Sequence, residues 1–209
     1  MENEQVKIQI INYCRNNPNT IFDVELMFGN VFQCDDFDNF RQYVSRAKDP
    51  AHLYPVGKGV YFIGKDSTDE ELKKAMVDYY VEKNYCILAG PSLLAKYKLI
   101  DEEPSSLTIK GFVKRNKAIR DNQIIPTKTF ITRENKPFRE LLEILCQKKK
   151  VDDIDNMMIF YDLLTKYKDE YITSHLLNEY SRVTFFRLKK LLDVAGIKNN
   201  VEGILDKYS

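Results

Sequence analysis

The sequence from Leu53 to Gly64 is LYPVGKGVYFIG, and it predicts a β-hairpin. Two short apolar runs, LYPV and VYFI, flank Gly57-Lys58-Gly59, and glycine can adopt the positive φ angles of a tight reversal. Pro55 has no N–H to donate, so we expect its strand to lie at an edge. Lys58, at the tip, can approach a phosphate without steric hindrance from its glycine neighbours. Taken alone, the pattern also fits an ordinary solvent-exposed hairpin.

Three short helices are predicted ahead of this hairpin. The first covers residues 5–16, where apolar side chains recur at helical spacing, and the second covers Phe22–Phe28. The third covers Asp36–Lys48 and is capped by Asp35 or Asp36. The order of three helices followed by a two-stranded wing is typical of a winged helix-turn-helix domain, whose third helix enters the major groove of DNA.

The third helix has an apolar face and a polar face. Its apolar stripe consists of Phe37, Phe40, Val44 and Ala47. The predicted DNA-binding residues come from the polar face and the hairpin tip, and they are Arg41, Gln42, Ser45, Arg46 and Lys58. We expect Gln42, Ser45 and Arg46 to face base edges. Arg41 and Lys58 are expected near phosphates.

The charge of this segment leaves an alternative open. Residues 1–66 carry 7 Lys/Arg against 9 Asp/Glu, net −2, which is unusual for an isolated DNA-binding domain. Asp38 and Asp49 also lie on the exposed side of the third helix. A winged-helix domain used for protein contact is therefore the alternative to DNA binding.

A second domain is expected to begin after the hairpin. Ser67-Thr68 followed by Glu70-Glu71 is a capping box that opens a long helix, Thr68–Lys83. We therefore place the domain boundary near Lys65–Ser67, which gives domains of residues 1–66 and 67–209. Within the second domain, β-branched residues predict strands at Leu107–Val113, Ile124–Pro126 and Lys128–Thr132.

From Pro137 onward the sequence predicts a helical tail. Apolar residues recur at helical spacing in four successive stripes. The stripes are Phe138, Leu141, Leu142 and Leu145; Ile154, Met157, Met158, Tyr161 and Leu164; Ile172, Leu176 and Leu177; and Phe185, Leu188, Leu192 and Ala195, which Gly196 terminates. The predicted fold class is α+β: an N-terminal winged helix-turn-helix followed by a mixed C-terminal domain with a small sheet and a helical tail.

One strongly basic block stands out in the second domain. Residues 108–150 carry 12 Lys/Arg against 4 Asp/Glu, net +8, while the whole chain is only +1. The predicted basic surface consists of Lys110, Lys114, Arg115, Lys117 and Arg120. Charge of one sign at this density repels itself, so we expect DNA or an acidic partner to bind it. A solvated sheet face is the alternative.

Features of enzymes, metal sites and membrane proteins are not expected. The four cysteines form no CxxC, which favours reduced thiols in a cytoplasmic protein, and the two histidines have no metal-site spacing. The carboxylates Asp152, Asp153 and Asp155 are better explained by helix capping, and Ser92 by a helix start. No apolar run approaches the roughly 18 residues of a membrane span. We therefore predict no catalytic residues, no cofactor, no metal and no membrane partner.

Two features of the sequence resemble AbiEi-type antitoxins of type IV toxin–antitoxin, or abortive infection, systems. One is the wing end Gly57-Lys58-Gly59-Val60-Tyr61, followed by a capped helix, a glycine-serine-leucine helix start, strands and a helical tail. The other is the segment from Leu88 to Leu99, LAGPSLLAKYKL, which is similar to that family's G-x-S-A-L…G-L helix. The segment departs from the family pattern in part at Leu94, and at Lys98, where glycine is common.

The resemblance implies a two-domain repressor and antidote. The N-terminal domain would bind operator DNA ahead of its own operon. The C-terminal domain would counteract a cognate nucleotidyltransferase-like toxin, by direct binding or through a shared target. The alternative is a winged-helix transcriptional regulator with a partner- or ligand-sensing C-terminal domain and no toxin.

Overall fold

A computed structural model describes residues 2–28, 30–32, 34, 36–147 and 157–208, and its fold is α+β as predicted. The elements in chain order are α1 (Glu2–Asn16), β1 (Ile21–Asp23), α2 (Val24–Met27), α3 (Phe37–Ala47), β2 (Leu53–Gly57), β3 (Val60–Ile63), α4 (Asp69–Met76), a π-helical turn (Val77–Lys83), β4 (Ile87–Leu88), α5 (Gly90–Lys96), β5 (Thr108–Gly111), β6 (Lys117–Ile119), β7 (Asn122–Pro126), α6 (Lys136–Cys146), α7 (Met157–Leu164), a 3-10 turn (Asp169–Tyr171), α8 (Ser174–Leu177), α9 (Arg182–Val194) and α10 (Val201–Lys207).

The chain forms two compact units. The first unit is Met1–Lys83 together with Lys117–Asn122, and the second is Asn84–Asn116 together with Gln123–Ser209. The structural division after Lys83 differs from the sequence boundary near Lys65–Ser67. The chain therefore passes between the units three times, because the short segment 117–122 returns to the first.

In the first unit, α1 packs against α3 and a small antiparallel sheet completes the core. β3 pairs with β1 through Ile21 opposite Phe62, and with β2 along the hairpin. β6 joins the other side of β2 through a single pair, Gly57 opposite Ile119. Pro55 pairs only toward β3, so β2 is an edge strand at Pro55 but not at Gly57.

Several secondary-structure elements predicted for the first unit are confirmed. The hairpin, the third helix and the capping box of Thr68 with Glu71 all form. The second helix is different: the segment predicted as helix Phe22–Phe28 is strand β1 followed by the short helix α2. Asp23 explains the change, because its extended backbone ends the strand and its carboxylate accepts hydrogen bonds from the Glu25 and Leu26 amides as a helix N-cap.

The second unit is organised around α6. Every residue from Phe138 to Leu145 is buried, and α6 contacts α5, α7, α9 and β4. The sheet of this unit pairs β4 antiparallel with β5 and β5 parallel with β7. Because α6 is covered on all sides, its charged side chains need partners inside the protein.

The buried charges of α6 are all paired. Glu140 accepts hydrogen bonds from Lys96 at 2.8 Å and from the Tyr97 hydroxyl at 2.5 Å. Glu143 accepts hydrogen bonds from Lys110 and from the Tyr180 hydroxyl, both at 2.6 Å, and Arg139 donates to Glu179 at 2.6 Å. Burial raises the pKa of the Tyr180 hydroxyl, which keeps it protonated as a donor to Glu143.

Two predictions for the second unit are wrong. Lys128–Thr132 is not a strand, because the chain bends at residues 128–129, where the Thr127 hydroxyl donates to the Thr129 carbonyl at 2.9 Å. Tyr161 is expected in a core stripe but is 51% exposed, because α7 buries Phe160 and Leu163 there. Leu164, from the same stripe, is buried as predicted. Ile154, from the same predicted stripe, lies outside the described residues.

Candidate nucleic-acid interface

The polar face of α3 is positioned by the apolar face behind it. Asp36 caps the helix by accepting a hydrogen bond from the Asn39 amide at 2.7 Å. Phe40, Val44 and Ala47 are buried, with the Phe40 ring 5.5 Å from that of Phe32. Burial on that side leaves the opposite face in solvent. The exposed side chains include those predicted from the sequence, Arg41, Gln42, Ser45 and Arg46.

An acidic neighbour touches one of these residues. Arg41 forms an ion pair with Asp38 at 3.4 Å, and the two side chains are 61% and 81% exposed. An ion pair this exposed contributes about 0–1 kcal/mol, so the guanidinium can exchange Asp38 for a phosphate at little cost. Asp38 therefore does not remove Arg41 from the candidate interface.

Lys58 lies exposed at the hairpin tip, as predicted, but the two glycines beside it have different roles. Gly59 has φ +71°, and a Cβ there would meet nothing within 4 Å, so its role is the reversal itself. A Cβ at Gly57 would lie 2.4 Å from the Ala118 carbonyl oxygen. Glycine at 57 is thus required by the close approach of β6 rather than by the turn.

A buried carboxylate supports α2 and the hairpin end. Asp23 is fully buried and accepts hydrogen bonds from the Tyr80 hydroxyl at 2.7 Å and from Lys117 at 2.6 Å. Lys117 also pairs with Glu25 at 2.9 Å. The Val24 amide donates to the Gly59 carbonyl at 3.0 Å, which fixes the start of α2 against the hairpin tip. Sequence reasoning missed Asp23; the signal for it was an acidic residue directly ahead of a helix-forming run.

The basic surface predicted from the sequence is not one exposed set. Lys117 is 7% exposed and neutralised by Asp23 and Glu25, so placing it on a solvent face was wrong. Arg120 pairs with Asp66 at 2.9 Å and with Asp69 at 3.0 Å. Both ion pairs lie within the first unit and balance the positive charge of Arg120.

The remaining three basic residues belong to the second unit. Lys110 is partly buried against Glu143, while Lys114 and Arg115 are exposed. Of the five basic residues predicted, Lys114 and Arg115 are the two that are exposed and belong to the second unit. Lys110, Lys117 and Arg120 thus pair with acidic side chains of the protein and do not form one exposed positive surface.

The structure gives no catalytic or metal-binding surroundings to the residues considered for such roles, where it describes them. Ser92 is buried in α5, where its hydroxyl donates to the Ser106 carbonyl and accepts from the Thr108 amide. Asp152, Asp153 and Asp155 lie outside the described residues. Over the ranges that the structure describes, no cluster of three His, Cys, Asp or Glu side chains could hold a metal ion. Within the same ranges, no helix is both long and apolar enough to cross a membrane.

Comparisons with known proteins add little to this geometry. No family model and no curated protein matches the sequence. Among solved structures, the chain is similar to the crystal structure of the RV2827C protein from Mycobacterium tuberculosis, with a TM-score of 0.41 and 15% sequence identity. That similarity covers 90% of this chain and 76% of the other. A TM-score this low does not establish a common fold.

Proposed function

We propose that the first unit is a winged helix-turn-helix that binds duplex operator DNA through α3 and the hairpin tip. The observation that carries this proposal is the polar face of α3, where Arg41, Gln42, Ser45 and Arg46 are all exposed. The order of α1, β1, α2, α3 and the β2–β3 hairpin supports it, because a winged helix has this order and its third helix enters the major groove.

The side-chain chemistry of this face suits base recognition. An arginine can donate two hydrogen bonds to guanine, and a glutamine amide can pair with adenine in the same bidentate way. Ser45 can donate to or accept from either base. Arg41, at the margin of the face, and Lys58, at the hairpin tip, provide positive charge for phosphates, which position a protein on DNA without reading its sequence.

The antitoxin role is proposed on the resemblance to AbiEi-type antitoxins alone. In this proposal the protein represses its own operon and counteracts a nucleotidyltransferase-like toxin, and it has no catalytic site of its own. A transcriptional regulator without a toxin would use the same DNA-binding face. A nucleotidyltransferase gene next to this one on the chromosome would favour the antitoxin over the plain regulator.

Repression and toxin neutralisation should respond differently to the same change in the full-length chain. The triple variant R41A/R46A/K58A should lose repression of a reporter fused to its own promoter, because base and phosphate contacts are removed together. It should still rescue the growth of cells expressing the neighbouring toxin gene, because the antidote role is assigned to the second unit.

The matched control is R15A/K74A/K83A, which removes three exposed cations of the same unit away from α3 and the hairpin tip. It should keep both activities. Full repression by R41A/R46A/K58A would contradict the DNA-binding proposal. Failure of the unmodified chain to rescue growth would contradict the antitoxin role and leave the regulator.

A further inference from the structure

Two phenylalanine rings stack on the surface of the second unit. Phe112 directly follows β5, and Phe130 lies in the segment between β7 and α6. Their ring centroids are 3.8 Å apart, with an interplanar angle of 28°. Even so, Phe112 is 52% exposed and Phe130 is 66% exposed. Because each ring covers part of the other, the exposed area lies on the outer faces and edges of the pair.

The backbone holds these rings side by side. β5 and β7 are parallel neighbours with Gly111 opposite Pro126, one residue before Phe112. The Thr127 amide donates to the Gly111 carbonyl at 2.9 Å, which extends the pairing toward Phe130. The stack is therefore fixed by paired strands and their extension, so a ligand would find it already formed.

Leaving this pair in water has an energetic cost. Burial of a phenylalanine side chain is favourable relative to exposure, and neither ring is fully buried in this unit. Along β5, the half-buried Thr108 and Lys110 alternate with the buried Ile109 and Gly111, and Phe112 continues the register of the half-buried residues. Lys110 pairs with Glu143 of α6, whereas Phe112, past the end of β5, is exposed.

Basic residues lie within three positions of each phenylalanine in the sequence. Lys114 and Arg115 follow Phe112 by two and three residues, and both are exposed. Lys128 precedes Phe130 by two residues and also donates to the Asn178 carbonyl, while Arg133 follows Phe130 by three. Glu134 is the acidic residue of these two segments. The surroundings thus favour a polyanion whose own groups can stack on an aromatic ring.

We propose that Phe112 and Phe130 form a stacking site for the unpaired bases of a single-stranded nucleic acid. Lys114, Arg115 and Arg133 would hold its phosphates. Unpaired bases offer free π faces, which the bases inside a duplex do not, and aromatic stacking with basic residues along the backbone is the usual way to bind single strands. This site shares no residue with the duplex-binding face proposed for the first unit.

The test uses the full-length chain and fluorescently labelled oligonucleotides of mixed sequence. Strands of about 12 nucleotides fit the site sizes of single-strand binding folds. Single-stranded RNA, single-stranded DNA of the same sequence and the corresponding duplex are titrated by fluorescence anisotropy. The two single-stranded arms decide which nucleic acid the site prefers.

Removing the stack should weaken single-strand binding selectively. F112A/F130A should lose about five-fold or more in affinity for each base that stacks, with duplex binding unchanged. F112Y/F130Y should retain binding because it keeps both aromatic faces. K114A/R115A should lower the salt slope by roughly 1.4, since each phosphate contact to a single strand contributes about 0.7.

Phe186→Ala is the matched control, because Phe186 is 46% exposed in the same unit and has Arg182 5.8 Å from its ring centroid. It should bind single strands as the unmodified chain does, and so should R41A/R46A/K58A, which tests the other proposal. No single-strand binding by the unmodified chain would overturn the inference. Unchanged binding by F112A/F130A would also overturn it.

Discussion

At Lys98 the backbone is left-handed, with φ +55°, directly after helix α5. The Lys98 amide donates to the Ala95 carbonyl at 2.9 Å, and the Leu99 amide donates to the Leu94 carbonyl at 2.8 Å. This pair of hydrogen bonds is a Schellman motif, which places Lys98 at the position where glycine is favoured. A residue with a Cβ at this position strains the backbone, yet the helix end keeps its geometry.

Gly196 provides the reciprocal case at the end of α9. It has φ +68°, and its amide donates to the Asp193 carbonyl while the Ile197 amide donates to the Leu192 carbonyl. A Cβ at Gly196 would meet nothing within 4 Å. The two helix ends therefore share one geometry and differ in whether glycine occupies it.

Exchanging these residue types should shift stability in opposite directions. A left-handed backbone costs about 1–2 kcal/mol for a residue with a Cβ, and glycine removes this cost. Glycine also increases the entropy of the unfolded chain, which offsets part of the gain. Lys98→Gly should therefore raise the free energy of unfolding by about 0.5–1 kcal/mol. Gly196→Lys should lower it by a similar amount. Urea unfolding of both variants measures the two changes, and a loss of stability in Lys98→Gly would contradict the strain at this position.

Residue identity alone predicted one of these two helix ends. Gly196 terminates α9 as the sequence indicated, because glycine after an apolar stripe is a direct signal. Lys98 gave no such signal, since its conformation follows from the packing of α5 and not from its own preference. Gly57 is the opposite case. The sequence assigned this glycine to a turn, but the structure requires it because β6 passes too close for a side chain.

At the scale of the element, strand β6 was the least predictable part of the first unit. Lys117–Ile119 is only three residues long, and Lys117 resembled the other cations of a basic block. Its partner, Asp23, lies 94 residues earlier in the chain. A contact this distant leaves no periodic signal, whereas the helices and the hairpin were predicted from apolar spacing and turn residues that act locally.

Removing the buried cation should be costly. Lys117→Met leaves the Asp23 carboxylate buried, with the Tyr80 hydroxyl and backbone amides as its remaining partners among the described residues. Breaking a buried ion pair costs about 3–5 kcal/mol. The free energy of unfolding, measured by urea titration followed by circular dichroism, should fall by that amount.

Arg120→Met is the control for this change. Arg120 lies on the same short segment, but its partners Asp66 and Asp69 are 76% and 69% exposed. Loss of such exposed pairs should cost about 1 kcal/mol or less. Equal effects of the two substitutions would mean that burial of Lys117 does not determine the stability of this segment.

For the molecule as a whole, the α+β class and most elements followed from the sequence, while the distribution of charge did not. The basic block suggested one large positive surface, but Lys110, Lys117, Arg120 and Arg139 have acidic partners within the protein. Composition counts charges along the chain and does not record which ones fold against each other. The exposed positive charge of the candidate interfaces is consequently smaller and more local than the sequence indicated.

The division of the chain also depends on contacts that are distant in sequence. A capped helix after the hairpin suggested a boundary near Lys65–Ser67, yet the compact units separate after Lys83, and residues 117–122 return to the first. Tyr80 and Lys117 both bind Asp23, so the first unit as folded needs residues beyond position 66. Tests of the separate roles are therefore better made with substitutions in the full-length chain than with fragments.

The central claim is that the exposed face of α3 and the hairpin tip bind duplex DNA. The most direct test is the equilibrium DNA affinity of two variants, Arg46→Ala and Lys58→Ala. Each is measured on two duplexes over a range of salt concentrations. The first duplex comes from the region ahead of the gene, and the second is unrelated. We expect Arg46→Ala to lose about 1–3 kcal/mol on the first duplex only, because a guanine contact is sequence-specific. Lys58→Ala should weaken both complexes equally and reduce the salt slope by about one. Affinities for both duplexes that neither substitution alters would contradict the claim.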